Sequence, residues 1–279
     1  MGEKLIALVG AGGKMGRRIA PNLKKFNYRF VCCEKDEAGT AALKGMGYEV
    51  MHTEDAIKIA DTIICALPDA ALPSLSTILV PMLKPGSTLI TLDPAAARAG
   101  VLATRNDCNF VVTHPCHPQL FGEKDTPEEK ADLFGGIAAK QDIVIALMQG
   151  SEEALEAAEK ICIAMFNPVV ECFRITVEQM AILEPAAAEV VVATCAAIMK
   201  EAIDEAVRHG VPEPAARSFL LGHIQIPLAI VLKSSNPFSD AAMIAMEYGR
   251  RHILREDWKK VFEPAAIEEV LKEMLHLNK

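Results

Sequence analysis

Residues 4–18, KLIALVGAGGKMGRR, pass from an apolar run ending at Val9 through four glycines within seven positions into a basic helical start. A strand leaving a parallel sheet must turn sharply into the next helix, and Gly10 permits that turn without a Cβ clash. Gly12 and Gly13 let a diphosphate approach bare peptide N–H groups, and Gly16 lets the new helix pack closely on the strand. The N–H groups and positive dipole end of that helix hold the phosphate charge. Lys14 and Met15 complete the turn as cofactor-binding candidates. The spelling is GxxGxxG through Gly10, Gly13 and Gly16, since Met15 takes the sixth place of a plain GxGxxG.

Tyr28 to Glu34 (YRFVCCE) reads as a second strand whose terminal acid lies 24 residues after Gly10. That is near the spacing at which a carboxylate meets the adenosine ribose hydroxyls, so Glu34 favours NAD over NADP. Lys35, which follows it, keeps NADP open. Strand, glycines, helix and acid in this order favour a dinucleotide over a bare glycine turn with a solvated strand end.

The 279 residues suggest two domains, and the 51% hydrophobic content is enough for large cores. A net charge of −8 argues against nucleic acid or an anionic membrane as partner, leaving a small soluble substrate. Eight cysteines without a CxxC pair read as reduced core residues of a cytoplasmic protein. The first strand begins almost at once, leaving no room for a cleavable signal. The most apolar stretch, residues 219–232, is expected to be too short and too polar to span a bilayer.

After Glu34 the pattern predicts strands at 48–51, 61–68, 87–93, 109–113, 142–150 and 169–176 alternating with helices. The fold class is α/β, a doubly wound parallel Rossmann sheet over residues 1–175, followed by an all-helical domain over 176–279 for substrate and dimerisation. Residues Val190 to Met199 carry no charge on any helical face, which implies cover from a partner subunit and hence a homodimer.

In doubly wound sheets ligands sit beyond the carboxyl ends of the strands. Two loops there stand out. ALPDAALP at 66–73 places Leu67 and Pro68 beside the nicotinamide half of the cofactor. THPCHPQLFG at 113–122 holds His114 and His117, each stiffened by a following proline, and one of them can take the proton of a substrate hydroxyl. The bland alternative is a loop stapled by imidazole hydrogen bonds. Further on, Glu184 and Glu189 flank Pro185 in LEPAAAEV. They can hold Mg²⁺ or Mn²⁺, or orient substrate hydroxyls, or serve as helix-end charges. Five residues is an awkward interval on an α-helix, so convergence requires Pro185 to break or kink it. His223, in LLGHIQIP, is a core histidine unless Gly222 and Pro227 interrupt the helix and open it to a ligand.

The KMG ending of the glycine turn, the apolar domain-joining helix and the helical second half resemble the 6-phosphogluconate and 3-hydroxyisobutyrate dehydrogenase superfamily. The superfamily's lysine signature, KxxNN, is replaced here by EPAAAE, which points away from simple β-hydroxyacid oxidation. HPCHPQLF, EPAAAE and GHIQIP are similar to the phosphogluconate dehydrogenase-like family that includes D-apionate oxidoisomerase. This resemblance implies NAD-dependent oxidation of a small hydroxy or branched sugar acid, followed by migration of a hydroxymethyl group, as in ketol-acid reductoisomerase run backwards. It also gives the carboxylates at 184 and 189 a reason to hold metal. A decarboxylating or plain dehydrogenase and an NAD(H)-binding sensor without turnover are the alternatives.

Overall fold

The computed structural model describes residues 4–277. The chain forms two compact units, one running to Glu184 and resuming at Glu268, the other Pro185–Ile267. The dividing point thus lies beyond residue 175, and the C-terminal helix returns to the first unit.

The first unit holds β1 (Ile6–Val9), α1 (Gly16–Lys25), β2 (Phe30–Cys33), α2 (Glu37–Gly45), α3 (Thr53–Ile59), β3 (Thr62–Cys65), α4 (Leu72–Leu79), β4 (Thr88–Thr91), α5 (Ala95–Arg98), β5 (Asn109–Pro115), α6 (Pro127–Ala131), β6 (Gln141–Gln149), α7 (Glu152–Met165), β7 (Val169–Arg174) and α8 (Val177–Ala181). The strands make one sheet in the order β2-β1-β3-β4-β5-β6-β7. β1, β3 and β4 are buried along their whole length, as short apolar strands covered on both faces must be. Strand order reverses at β1, and the crevice at such a reversal is where ligands bind.

Two sequence expectations are corrected. Residues 48–51 do not form a strand. Val50 makes a single parallel bridge to Cys32, because the chain has barely left Gly47 (φ +78°) before α3 begins at Thr53. β6, expected to be parallel, runs antiparallel to β5. A parallel return needs a crossover that spans the sheet, and the only helix between these strands is the five-residue α6.

The second unit contains α9 (Thr194–Arg208), α10 (Glu213–Lys233) and α11 (Asp240–Ile253), with α12 (Pro264–Met274) running on into the first unit. α9 packs on α10, and Ser239 caps α11 by accepting the Ala242 N–H. Gly222 and Pro227 do not interrupt α10, which continues for 21 residues. Helical runs Val177–Arg208 and Glu213–Lys233 are therefore long and apolar enough to cross a bilayer by length and composition alone. Their large side chains are widely exposed in the single chain, with Val192 and Phe219 each at 63% and Leu232 at 65%. The expected burial of the 190–199 stretch is not supplied within one chain.

Gly16 shows how tightly α1 is seated. A Cβ there would lie 2.4 Å from the Gly10 carbonyl oxygen and 2.6 Å from Ala11 Cα. Both neighbours are backbone and cannot swing away. Gly16→Ala is expected to destabilise the protein by about 1–3 kcal/mol through overpacking, measured by denaturant unfolding.

Candidate functional site

Gly10 has φ +77°, and a Cβ on it would sit 2.3 Å from the Ala66 carbonyl oxygen. Only glycine fits there. Helices α2, α7, α8 and α11 are capped by Asp36, Ser151, Thr176 and Ser239. By contrast, α1 has neither a side-chain cap nor an acid in its first turn. A helix start left in this way, with Gly13 and Lys14 exposed beside it, is a ready anion site. Met15 is the residue at the N-cap position of α1.

Glu34 is folded against this turn. Its Oε2 accepts the Gly12 N–H at 2.8 Å, and its Oε1 accepts the Lys35 and Asp36 N–H groups at 2.8 and 3.1 Å. A Cβ on Gly12 would come within 2.6 Å of that carboxylate. The acid is thus fixed at the end of β2, where it favours ribose hydroxyls and repels a 2′-phosphate. Leu67 and Pro68 leave β3 beside the turn: the Ala66 N–H donates to the Val9 carbonyl, and Leu67 Cδ2 is 3.2 Å from the position of a Gly10 Cβ.

The second cluster forms where β4 and β5 end side by side. His114 lies near the end of β5, with Nδ1 2.8 Å from the Pro115 carbonyl oxygen. A carbonyl can only accept, so Nδ1 carries the proton and the lone pair of the neutral ring is on Nε2. Burial pushes the His114 imidazole down to about 4, against the Pro115 hydrogen bond, which favours the charged form, and with His117 adding to the fall. Nε2 lies 3.6 Å from Glu184 Oε1, and both side chains are half-buried.

Asp93 joins them. It follows β4, and its Oδ1 accepts the Ala95 N–H at the start of α5. α8 packs against α5, its residues Met180 and Ala181 wholly buried, and so carries Glu184 to the same place. One donor atom from each of Asp93, His114 and Glu184 lies within 4.8 Å of the others. Donors around a bound cation with bonds near 2.1 Å are separated by roughly 3–4 Å, so slight closure brings this set to ligating distance. The two carboxylates offer the hard oxygen donors that Mg²⁺ and Mn²⁺ take, and the imidazole beside them favours Mn²⁺ of the two.

Asp93 is not among the candidates the sequence offers, although a predicted strand ends on it and, like Glu34, it is a terminal acid at the ligand edge. Its proximity to His114 requires the β4–β5 register.

His117 has φ +61°. Its Nδ1 donates to the Phe134 carbonyl at 2.8 Å, which leaves Nε2 as the acceptor of a neutral ring. The His114 and His117 rings meet edge to face at 5.8 Å. Pro185 lies within a π-helical stretch, Ile182–Ala193, rather than at a break. The wider winding tolerates the missing proline N–H. Glu189 is in this stretch, exposed and in the second unit, and is not one of the three converging groups. His223, exposed on α10, is stacked on Phe219 and donates Nδ1–H to the carbonyl of that same residue.

Residues 122–275 match the family described as phosphogluconate dehydrogenase (decarboxylating) C-term, and residues 1–121 match the acetohydroxy acid isomeroreductase NADPH-binding domain. The chain is 44% identical to a D-apionate oxidoisomerase of Pectobacterium atrosepticum, covering 99% of this chain and 97% of that one. It is 45% identical to the D-apionate oxidoisomerase of Cupriavidus necator, covering 98% and 99%. Among solved structures it is similar to a semialdehyde dehydrogenase NAD-binding protein from Cupriavidus necator in complex with calcium and NAD, with 44% identity, a TM-score of 0.93 and coverage of 98% and 100%.

Gly13 is exposed, and a Cβ there would meet only the Gly10 and Ala66 carbonyl oxygens, at 3.3 and 3.9 Å. Gly13→Asp is therefore expected to stay folded while its carboxylate occupies and repels the phosphate position. Fluorescence titration should find NADH binding abolished in this variant and, in the unmutated protein, NADH bound more tightly than NADPH.

Proposed function

Because the chain belongs to the NAD-binding oxidoreductase family of the D-apionate oxidoisomerases, we propose that it oxidises the 2-hydroxyl of a branched sugar acid, D-apionate or a close analogue, and then shifts a hydroxymethyl group onto the new ketone. The observation that carries this reading is the convergence of Asp93, His114 and Glu184 at the strand edge that also bears the glycine turn. Plain hydride transfer does not call for such a donor set. Migration does, since the alcohol must become an alkoxide while the ketone is polarised.

Bound NAD supplies the hydride acceptor, and a divalent ion at the cluster supplies the Lewis acid. Asp93, Glu184 and His114 Nε2 would hold that ion, with the Pro115 carbonyl fixing the His114 tautomer as a metal-bound imidazole requires. His117 Nε2 takes the hydroxyl proton. Glu34 and the start of α1 hold the two ends of the adenosine diphosphate. The description of the 122–275 match favours a second reading, oxidation followed by decarboxylation. Release of CO₂, against formation of an isomer, separates the two.

The protein is proposed to be a cytoplasmic homodimer. Both apolar helical runs also carry charged residues, Glu178, Glu184 and Glu189 in one and Glu213 and Arg217 in the other, which suits helices packed on a second copy rather than on lipid. A second copy covers their exposed side chains. Sedimentation at micromolar concentration is expected to give twice the 30.2 kDa chain mass, and a monomer would overturn this.

Exhaustive chelation with EDTA is expected to stop product formation from D-apionate, and Mn²⁺ or Mg²⁺ to restore it. Asp93→Asn and Glu184→Gln should each raise the metal concentration needed for half-maximal activity by about 10–100-fold, while NADH affinity stays unchanged. His117→Ala should lower kcat by about 10²–10⁴-fold. Full activity after chelation would overturn the metal role.

A further inference from the structure

The segment between α6 and β6 is staked down with unusual thoroughness for an irregular loop. Asp132 is buried, and its Oδ2 accepts the N–H groups of Ile137, Ala138 and Ala139 at 3.0, 2.9 and 3.2 Å. Its Oδ1 takes Nη1 of Arg18 on α1 at 2.9 Å, and the same nitrogen donates to the Gly135 carbonyl at 2.7 Å. Asn22, also on α1, donates to the Gly136 carbonyl at 2.9 Å. Burial opposes ionisation of Asp132, but the backbone N–H groups and Arg18 outweigh it and hold the carboxyl below the usual range.

What this anchoring presents is Phe134, a ring 43% exposed. Lys14 of the glycine turn places Nζ 3.3 Å from the ring centroid. The ring meets His117 edge to face at 5.9 Å, and the Phe134 carbonyl accepts His117 Nδ1–H. Phe134 therefore meets the cofactor turn through a ring face and the histidine loop through a perpendicular ring contact and its carbonyl. We propose that Phe134 is a positioning residue that transmits dinucleotide binding at Lys14 to the orientation of His117. An anion at the turn draws the Lys14 ammonium from the ring face or shares it, and the Phe134 side chain, turning on a backbone that Arg18 and Asn22 hold in place, resets against the imidazole. This rests on the reading of the glycine turn as the diphosphate site and of His117 as the proton acceptor.

The test is ¹⁵N NMR of the histidine rings in the full-length protein, without and with NADH, beside steady-state kinetics on D-apionate. In the unmutated protein NADH should shift the His117 ring resonances while Nδ1 stays protonated. Phe134→Leu should lose that shift and lower kcat about tenfold or more through misplacement of the ring, with NADH affinity held within about fivefold. Phe134→Tyr, which keeps the ring, should restore both. No NADH-induced shift in the unmutated protein, or the same shift in Phe134→Leu, overturns the proposal. A fall in kcat with the shift intact overturns it too, leaving Phe134 a structural role. The ring resonances report the coupling whether or not His117 carries a proton in turnover, and NADH titration reports binding at the turn separately. Failure here is thus distinguishable from failure of the proposed reaction.

Discussion

The parallel ladder of β1, β3, β4 and β5 is the constraint on which the site depends. Parallel strands end at the same edge, and hydrogen bonding holds neighbours about 4.8 Å apart. Whatever residue follows each strand is thereby delivered to one line: Gly10 after β1, Leu67 after β3, Asp93 after β4, His114 at the end of β5. Asp93 and His114 meet because β4 and β5 are adjacent in register. The reversal of β6 adds to this, since a strand running the other way begins at that edge. The loop before β6 is therefore brought to the glycine turn and the histidines.

Charge is distributed along this line with each sign in a separate place. The uncapped start of α1 offers positive potential for a diphosphate, and Glu34, held by three backbone N–H groups, offers a fixed negative charge for ribose. Further along, one donor atom from each of two carboxylates and an imidazole lies within 4.8 Å of the others.

The second unit obeys a different physics. Its helices carry many Ala, Val, Ile, Leu and Met residues, yet few large side chains are buried within the chain, Ile203 among them. The exposed side chains of Val192, Phe219 and Leu232 are the ones a second copy is proposed to cover.

The first half of the fold was legible because its signals are local. A strand, a glycine turn, a helix and a terminal acid obey steric and dipole rules that act within about 30 residues, so Gly10, Gly12, Gly13, Gly16 and Glu34 could be identified in order. The histidine loop could be placed too, since it follows a strand at the ligand edge. Three features were decided only in the folded chain. The direction of β6 was one, because apolar alternation does not encode which way a strand runs. The membership of Asp93 in the His114–Glu184 group was another, because it depends on lateral strand register and on α8 packing against α5. The anchoring of Phe134 was the third, because Arg18 and Asp132 lie 114 positions apart in sequence, and no local periodicity joins them. Sequence determined the succession of strand, glycine turn, helix and terminal acid, whose rules are local; tertiary structure decided which distant side chains share a point in space, since that proximity arises from sheet pairing and buried hydrogen bonds rather than from spacing along the chain.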